Sequence, residues 1–128
     1  MEALVLASGS SGNAVLVRSG ETALLVDAGI SALQVRRRLE VFGRRADDIT
    51  AVLLTHEHSD HVRGLDVLVR RHRLPLWATA GTWSAIAARS EAGGELAAGR
   101  KVSFGAITVT PIATSHDARE PVALLIED

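Results

Sequence analysis

Apolar residues open the chain in three short runs, at 3–7, 14–18 and 22–26, parted by clusters of glycine, serine and asparagine. Runs of this length between turn formers read as strands, and their short connections predict an antiparallel meander. From Ser31 the period becomes helical. Ser31 and Gln34 stand at capping-box spacing, Val35, Leu39 and Phe42 form an apolar stripe, and Gly43 suits the helix end. The pattern then alternates: a strand at 51–55, a helix at 60–72 carrying Val62, Leu65, Leu68 and Val69, a strand at 75–78 and a short helix at 82–89. This is the β-α-β rhythm of an α/β (mixed α+β) domain. Residues 91–100, rich in glycine and alanine, read as a flexible loop, and strands at 106–113 and 121–127 follow.

Composition narrows the class. A chain of 128 residues fits one domain able to bury about two thirds of its unfolded surface. No stretch approaches the roughly 20 apolar residues of a membrane span, and Met1-Glu2 runs directly into the first strand with no leader pattern. A soluble, cytoplasmic protein is expected. With no cysteine, any metal must be held by nitrogen and oxygen. The formal charge of −1 supplies no global field for nucleic acid or anionic lipid. Two arginine groups, Arg36-Arg37-Arg38 with Arg44-Arg45 and Arg70-Arg71 with Arg73, read as solvated helix faces that can also meet phosphates. His72, among the second group, reads as a surface residue.

The chemistry concentrates in Thr55-His56-Glu57-His58-Ser59-Asp60-His61, which holds three of the five histidines directly after the apolar run Ala51-Val52-Leu53-Leu54. Imidazole and carboxylate suit borderline divalent ions such as zinc, with manganese or iron compatible. Alternation puts His56 and His58 on one side of a strand end. Asp60 either caps the helix that follows, or binds an ion or holds an attacking water. His116 lies beyond the strand at 106–113, where a further ligand can approach a centre built at another strand end. Asp27, after Leu24-Leu25-Val26, is either a turn former or the acceptor that fixes the orientation of a ligating histidine. The Gly9-Ser10-Ser11-Gly12-Asn13 stretch lacks the lysine and spacing of a phosphate-binding loop and reads as a tight turn.

These residues carry a resemblance. His56-x-His58-x-Asp60-His61 with Leu25-Val26-Asp27-Ala28-Gly29 upstream resembles the signature of the metallo-β-lactamase-fold hydrolases. Ser8 to Asn13, Pro75-Leu76-Trp77-Ala78 with Thr82-Trp83, and Ser115-His116-Asp117-Ala118 with Glu120-Pro121 resemble its YycJ/WalJ-like branch. The resemblance implies the N-terminal half of an αββα sandwich and a metal-dependent phosphodiesterase, exonuclease action on DNA included. It implies that His56, His58 and His116 hold one ion, that Asp60 and His61 belong to a second, and that Asp27 supports them. The family's bridging aspartate and C-terminal histidine have no counterpart before the last residue, Asp128. A single, truncated domain is therefore expected, with one sheet lacking its partner and a tendency to self-associate or to pair with a missing C-terminal half. The rival expectations are a catalytically idle metal-binding half-domain, or a thioester or cyclic-nucleotide hydrolase of the same fold.

Overall fold

Leu24 and Leu25 are both fully buried although they point to opposite faces of one strand. That double burial is the organising feature of the computed structural model, which describes residues 1–128. The first sheet runs β1 (Glu2–Ala7), β2 (Ala14–Ser19), β3 (Thr22–Val26), β4 (Ala51–Leu53), β5 (Leu76–Thr79) and β6 (Gly93–Leu96), in that spatial order. β1, β2 and β3 pair antiparallel, as the turn spacing predicts, while β3 to β6 are parallel. The parallel strands need crossovers, supplied by α1 (Ala32–Val41), by α2 (Ser59–Val62) with α3 (Leu65–His72), and by α4 (Ala80–Ala85). A second sheet, β7 (Val102–Phe104), β8 (Ile107–Ala113) and β9 (Val122–Glu127), is antiparallel throughout.

Two apolar layers result. Leu25, Val52 and Leu76 face the helices and pack with Val35, Leu39 and Leu68. Leu24, Ala51 and Leu53 face the second sheet and meet Phe104, Ile107 and Val109. Strands buried on both faces read as unbroken apolar runs, which is why Ala51 to Leu54 shows no alternation. Trp77 and Phe104 meet edge to face across the sheets at 5.3 Å. From β2 to β5 the six-stranded sheet is covered on both faces, while Val5 on β1 is 61% exposed on the side that faces the second sheet. On the outer side of the three-stranded sheet Ile112 and Leu125 are about half exposed.

Other expectations need correction. The helix at 60–72 is two helices, broken at Arg63-Gly64. Within a helix the Gly64 N–H would donate to the Asp60 carbonyl. Here Gly64 N donates to Ala28 O at 2.9 Å, and Asp60 O accepts from Asn13 N at 2.8 Å, so tertiary partners take both groups. The loop expected at 91–100 contains β6, the edge strand. Glycine is required there, since a Cβ on Gly93 would stand 2.1 Å from the Leu76 carbonyl oxygen. The helix placed at 82–89 runs from Ala80 to Ala85, capped by the Thr79 hydroxyl. His72 is no free surface residue: its Nδ1 meets Asp47 at 2.6 Å and its side chain is only 10% exposed.

Candidate metal centre

The parallel strands β3, β4 and β5 end along one edge of the sheet, and the residues after them carry most of the polar chemistry. Asp27 follows β3, the run 54–61 follows β4, and the β1–β2 turn closes over the same edge. Backbone hydrogen bonds stack these segments: Asp27 N donates to Leu53 O at 2.9 Å, Ala28 N to His61 O at 2.8 Å and Gly29 N to Asn13 O at 2.9 Å. The loop carrying His116 joins from the other sheet, tied down where Val122 N donates to Thr55 O at 3.0 Å.

His56, His58 and His116 converge, with one ring nitrogen of each lying within 4.8 Å of the others. Their ring centroids are 4.5 to 4.8 Å apart. Three imidazoles around a tetrahedral zinc have nitrogens about 3.4 Å apart, so a modest contraction of the set would bring it to binding distance. Hydrogen bonds decide which nitrogens are free. The Thr55 hydroxyl donates to Asp27 Oδ2 at 2.7 Å, so at the 3.0 Å contact between Thr55 Oγ1 and His56 the imidazole is the donor through Nδ1. His56 thus keeps its Nε2 lone pair. His58 donates through Nε2 to the Asp117 carbonyl, which leaves its Nδ1 lone pair. Burial, assisted by the neighbouring His61 charge, lowers the His56 pKa and favours the neutral, ligating form. Three imidazole donors gathered at one strand end fit a borderline divalent ion.

Asp60 and His61 stand beside this group. The His61 ring lies 4.0 Å from that of His56, and its Nε2 is 3.6 Å from Asp60 Oδ2. His61 Nδ1 donates to Asp27 Oδ2 at 2.7 Å, and this bond raises the His61 pKa against the opposing effect of burial. Asp27 is 4% exposed and also accepts from Thr55 N at 2.9 Å. Its backbone sits at φ 64, a left-handed conformation uncommon outside glycine. Asp60 does not cap its helix: the N-cap is His58, and the Asp60 carboxylate accepts from Asn13 Nδ2 at 3.2 Å.

Sequence reasoning missed the structural parts played by Asn13, Thr55 and Glu57. Asn13 folds back on Gly9 and reaches Asp60 and the neighbourhood of His61, so the tight turn also braces this edge. Thr55 relays between Asp27 and His56. Glu57 Oε2 accepts from Arg119 N at 3.0 Å, joining the histidine loop to the His116 loop. Only the adjacency of Thr55 and Glu57 to the histidines was a signal, since Asp27, Asp60 and Arg119, the partners that tie these residues to other segments, lie far away in sequence.

Residues 7–126 match the family model of the Metallo-beta-lactamase superfamily, and the chain belongs to that superfamily. It is similar to Exodeoxyribonuclease WalJ of Streptococcus pneumoniae, at 37% identity over 124 residues, covering 91% of this chain and 46% of that protein. It is also similar to Exodeoxyribonuclease YycJ of Bacillus anthracis, at 39% identity over 126 residues, covering 92% of this chain and 47% of that protein. The solved Rm3 metallo-beta-lactamase superposes with a TM-score of 0.83 at 22% identity, over 97% of this chain and 53% of that one. The fold agrees with the expected part of an αββα sandwich, and the chain spans about half the length of the curated relatives it matches. The fold family implies a divalent metal, typically zinc, and the chain presents a histidine cluster that could hold one. No helix is long and apolar enough to cross a membrane.

Proposed function

We propose that this chain is the N-terminal part of a longer metal-dependent hydrolase domain whose complete form cleaves phosphodiester bonds in nucleic acid, as an exonuclease on DNA. The observation that carries the reading is the convergence of His116 with His56 and His58 beyond the end of β4. The names of the two relatives above direct the choice of substrate. In this reading the three histidines hold one ion, Asp60 and His61 begin a second site, and Asp27 orients His61. Zinc suits the donors best, and manganese or iron are compatible. The chemistry a bound ion supplies is Lewis acidity, which polarises a phosphoryl oxygen and acidifies water. Asp60, 28% exposed beside the cluster, orients the attacking water. The working compartment we assign is the cytoplasm, and the outer side of the three-stranded sheet is where a second copy or the rest of the domain would pack.

A second reading is favoured by one observation: the only group of side chains placed to hold an ion is the three-imidazole one, and Asp60 with His61 makes just a pair beside it, too few for a second tight site. The 128-residue chain alone would then bind metal without turnover. Elemental mass spectrometry of the purified chain, run beside nucleotide release from single-stranded DNA, separates the two. One ion per chain is expected, with affinity falling in His116→Ala by more than the roughly 10–100-fold cost of losing an outer-shell partner. Metal-dependent release abolished in His58→Ala supports the hydrolase; a bound ion without release supports the idle half-domain. A loaded full-length protein that spares DNA, RNA and small phosphodiesters yet hydrolyses a thioester or lactam would sink the substrate assignment.

A further inference from the structure

The strand-end edge is crowded with carboxylates. Asp27, Glu57 and Asp60 lie on or beside the histidine loop, and Asp117 and Glu120 sit on the loop that brings in His116. A phosphodiester strand approaching this edge meets negative charge on both sides of the histidines, so its recognition needs cations outside the histidine cluster. Two arginines answer that need. Arg63 follows α2, is exposed, and donates through Nη1 to the Ser11 carbonyl at 2.8 Å. Arg119 lies three residues past His116, is exposed, and donates through Nη1 to Ser84 Oγ at 3.1 Å.

Neither guanidinium is paired with a carboxylate, whereas Arg18, Arg44, Arg45 and Arg70 all are. Each is steadied by a neutral oxygen, which fixes the fork without cancelling its charge, and each keeps further N–H donors for a bidentate contact. Their anchors lie on opposite sides of the histidine loop. Ser11 belongs to the β1–β2 turn, Ser84 to the helix after β5, and β4 runs between them in the strand order. The backbone of Arg119 is itself held by Glu57, between His56 and His58.

We propose that Arg63 and Arg119 form a two-point clamp for the phosphates of a nucleic-acid strand lying across the histidine cluster. The clamp rests on the hydrolase reading above and deepens it: two separated cationic forks select a polymer with phosphates on either side of the scissile bond over a mononucleotide. Binding of a labelled single-stranded phosphorothioate oligonucleotide, which resists cleavage, by the metal-loaded chain tests it through the salt dependence of affinity. Each phosphate contact on a single strand contributes about 0.7 to the log–log slope. Arg63→Gln and Arg119→Gln should each flatten the slope by about 0.7, and the double variant by about 1.4. Going from 50 to 200 mM salt should then cost the wild type about 7-fold more affinity than the double variant. Arg71→Gln, on α3 away from this edge, should leave the slope unchanged. Wild-type slopes in both single variants, or no binding by the wild-type chain, would overturn the clamp. Turnover of the unmodified oligonucleotide in the same samples reports on catalysis separately, since binding with the expected slopes but without cleavage keeps the clamp and assigns this chain to the idle half-domain.

Discussion

Replacing Asp27 by asparagine tests the network that supports the histidines. The native carboxylate is 4% exposed and accepts three hydrogen bonds, from Thr55 N at 2.9 Å, Thr55 Oγ1 at 2.7 Å and His61 Nδ1 at 2.7 Å. Asparagine tolerates the φ of 64, so the backbone is not the variable. Its amide oxygen can still accept from Thr55 N, but its NH2 then faces the Thr55 hydroxyl and the His61 N–H. Two bonds to an ionised acceptor, at about 1.5–3 kcal/mol each, give way to neutral or mismatched ones. A loss of about 2–4 kcal/mol is expected, a large share of the roughly 5–15 kcal/mol of a typical domain. Urea unfolding of the chelator-treated protein measures it without linkage to metal. With a slope of about 1.5 kcal/mol per molar, 3 kcal/mol lowers the midpoint by about 2 M. Asp27→Gly and Asp27→Ala both lack the carboxylate, but only alanine retains the strained backbone, so glycine should be the more stable by about 1 kcal/mol. An Asp27→Asn stability that differs from wild type by less than about 0.5 kcal/mol would refute the reasoning.

Three further outcomes are expected. A Cβ on Gly64 would lie 1.9 Å from the Ile30 carbonyl oxygen, so Gly64→Ala should cost about 3 kcal/mol or more, against about 1 kcal/mol for Gly43→Ala, which meets only open space at φ 70. Melting temperatures compare the two, and equal shifts would contradict the close approach. Phe104→Ala empties the seam between the sheets and should lower stability by about 3–5 kcal/mol with an unchanged denaturant slope. A loss under about 1 kcal/mol would mean that the seam is not packed as described. The Asp47 carboxyl is held below its ordinary value of 3.8, chiefly by the hydrogen bond from His72. A depressed folded pKa stabilises above the unfolded value and is lost as pH falls through the folded one. Wild type should therefore exceed Asp47→Asn in stability above pH 3.8, and the difference should vanish on further acidification. A difference that persists in strong acid would assign the effect to something other than ionisation.

Much of the candidate centre was legible because its residues are neighbours in the chain. His56, His58, Asp60 and His61 fall within six positions after an apolar run, and Asp27 marks a strand end. Those relations follow from local geometry. The placement of His116 was weaker, since no spacing rule links it to residues some sixty positions earlier. Asn13, Thr55 and Glu57 escaped notice because hydroxyl, amide and carboxylate side chains are common in loops, and their partners are named only by the fold.

By itself the sequence determined the meander, the β-α-β alternation and the clustering of imidazoles at one strand end. All of these depend on periodicity and chain proximity, which any local segment carries with it. Only the tertiary structure decided where the helix after His61 breaks, that the glycine-rich segment becomes the edge strand β6, and which nitrogen of His56 and of His58 stays free. Each of those outcomes turns on a hydrogen-bonding group choosing a distant partner over a local one. Gly64 N bonds to Ala28 rather than Asp60, and Thr55 Oγ1 is committed to Asp27 before it meets His56. A buried polar group must find some partner, but which one it finds is settled when the segments are brought together.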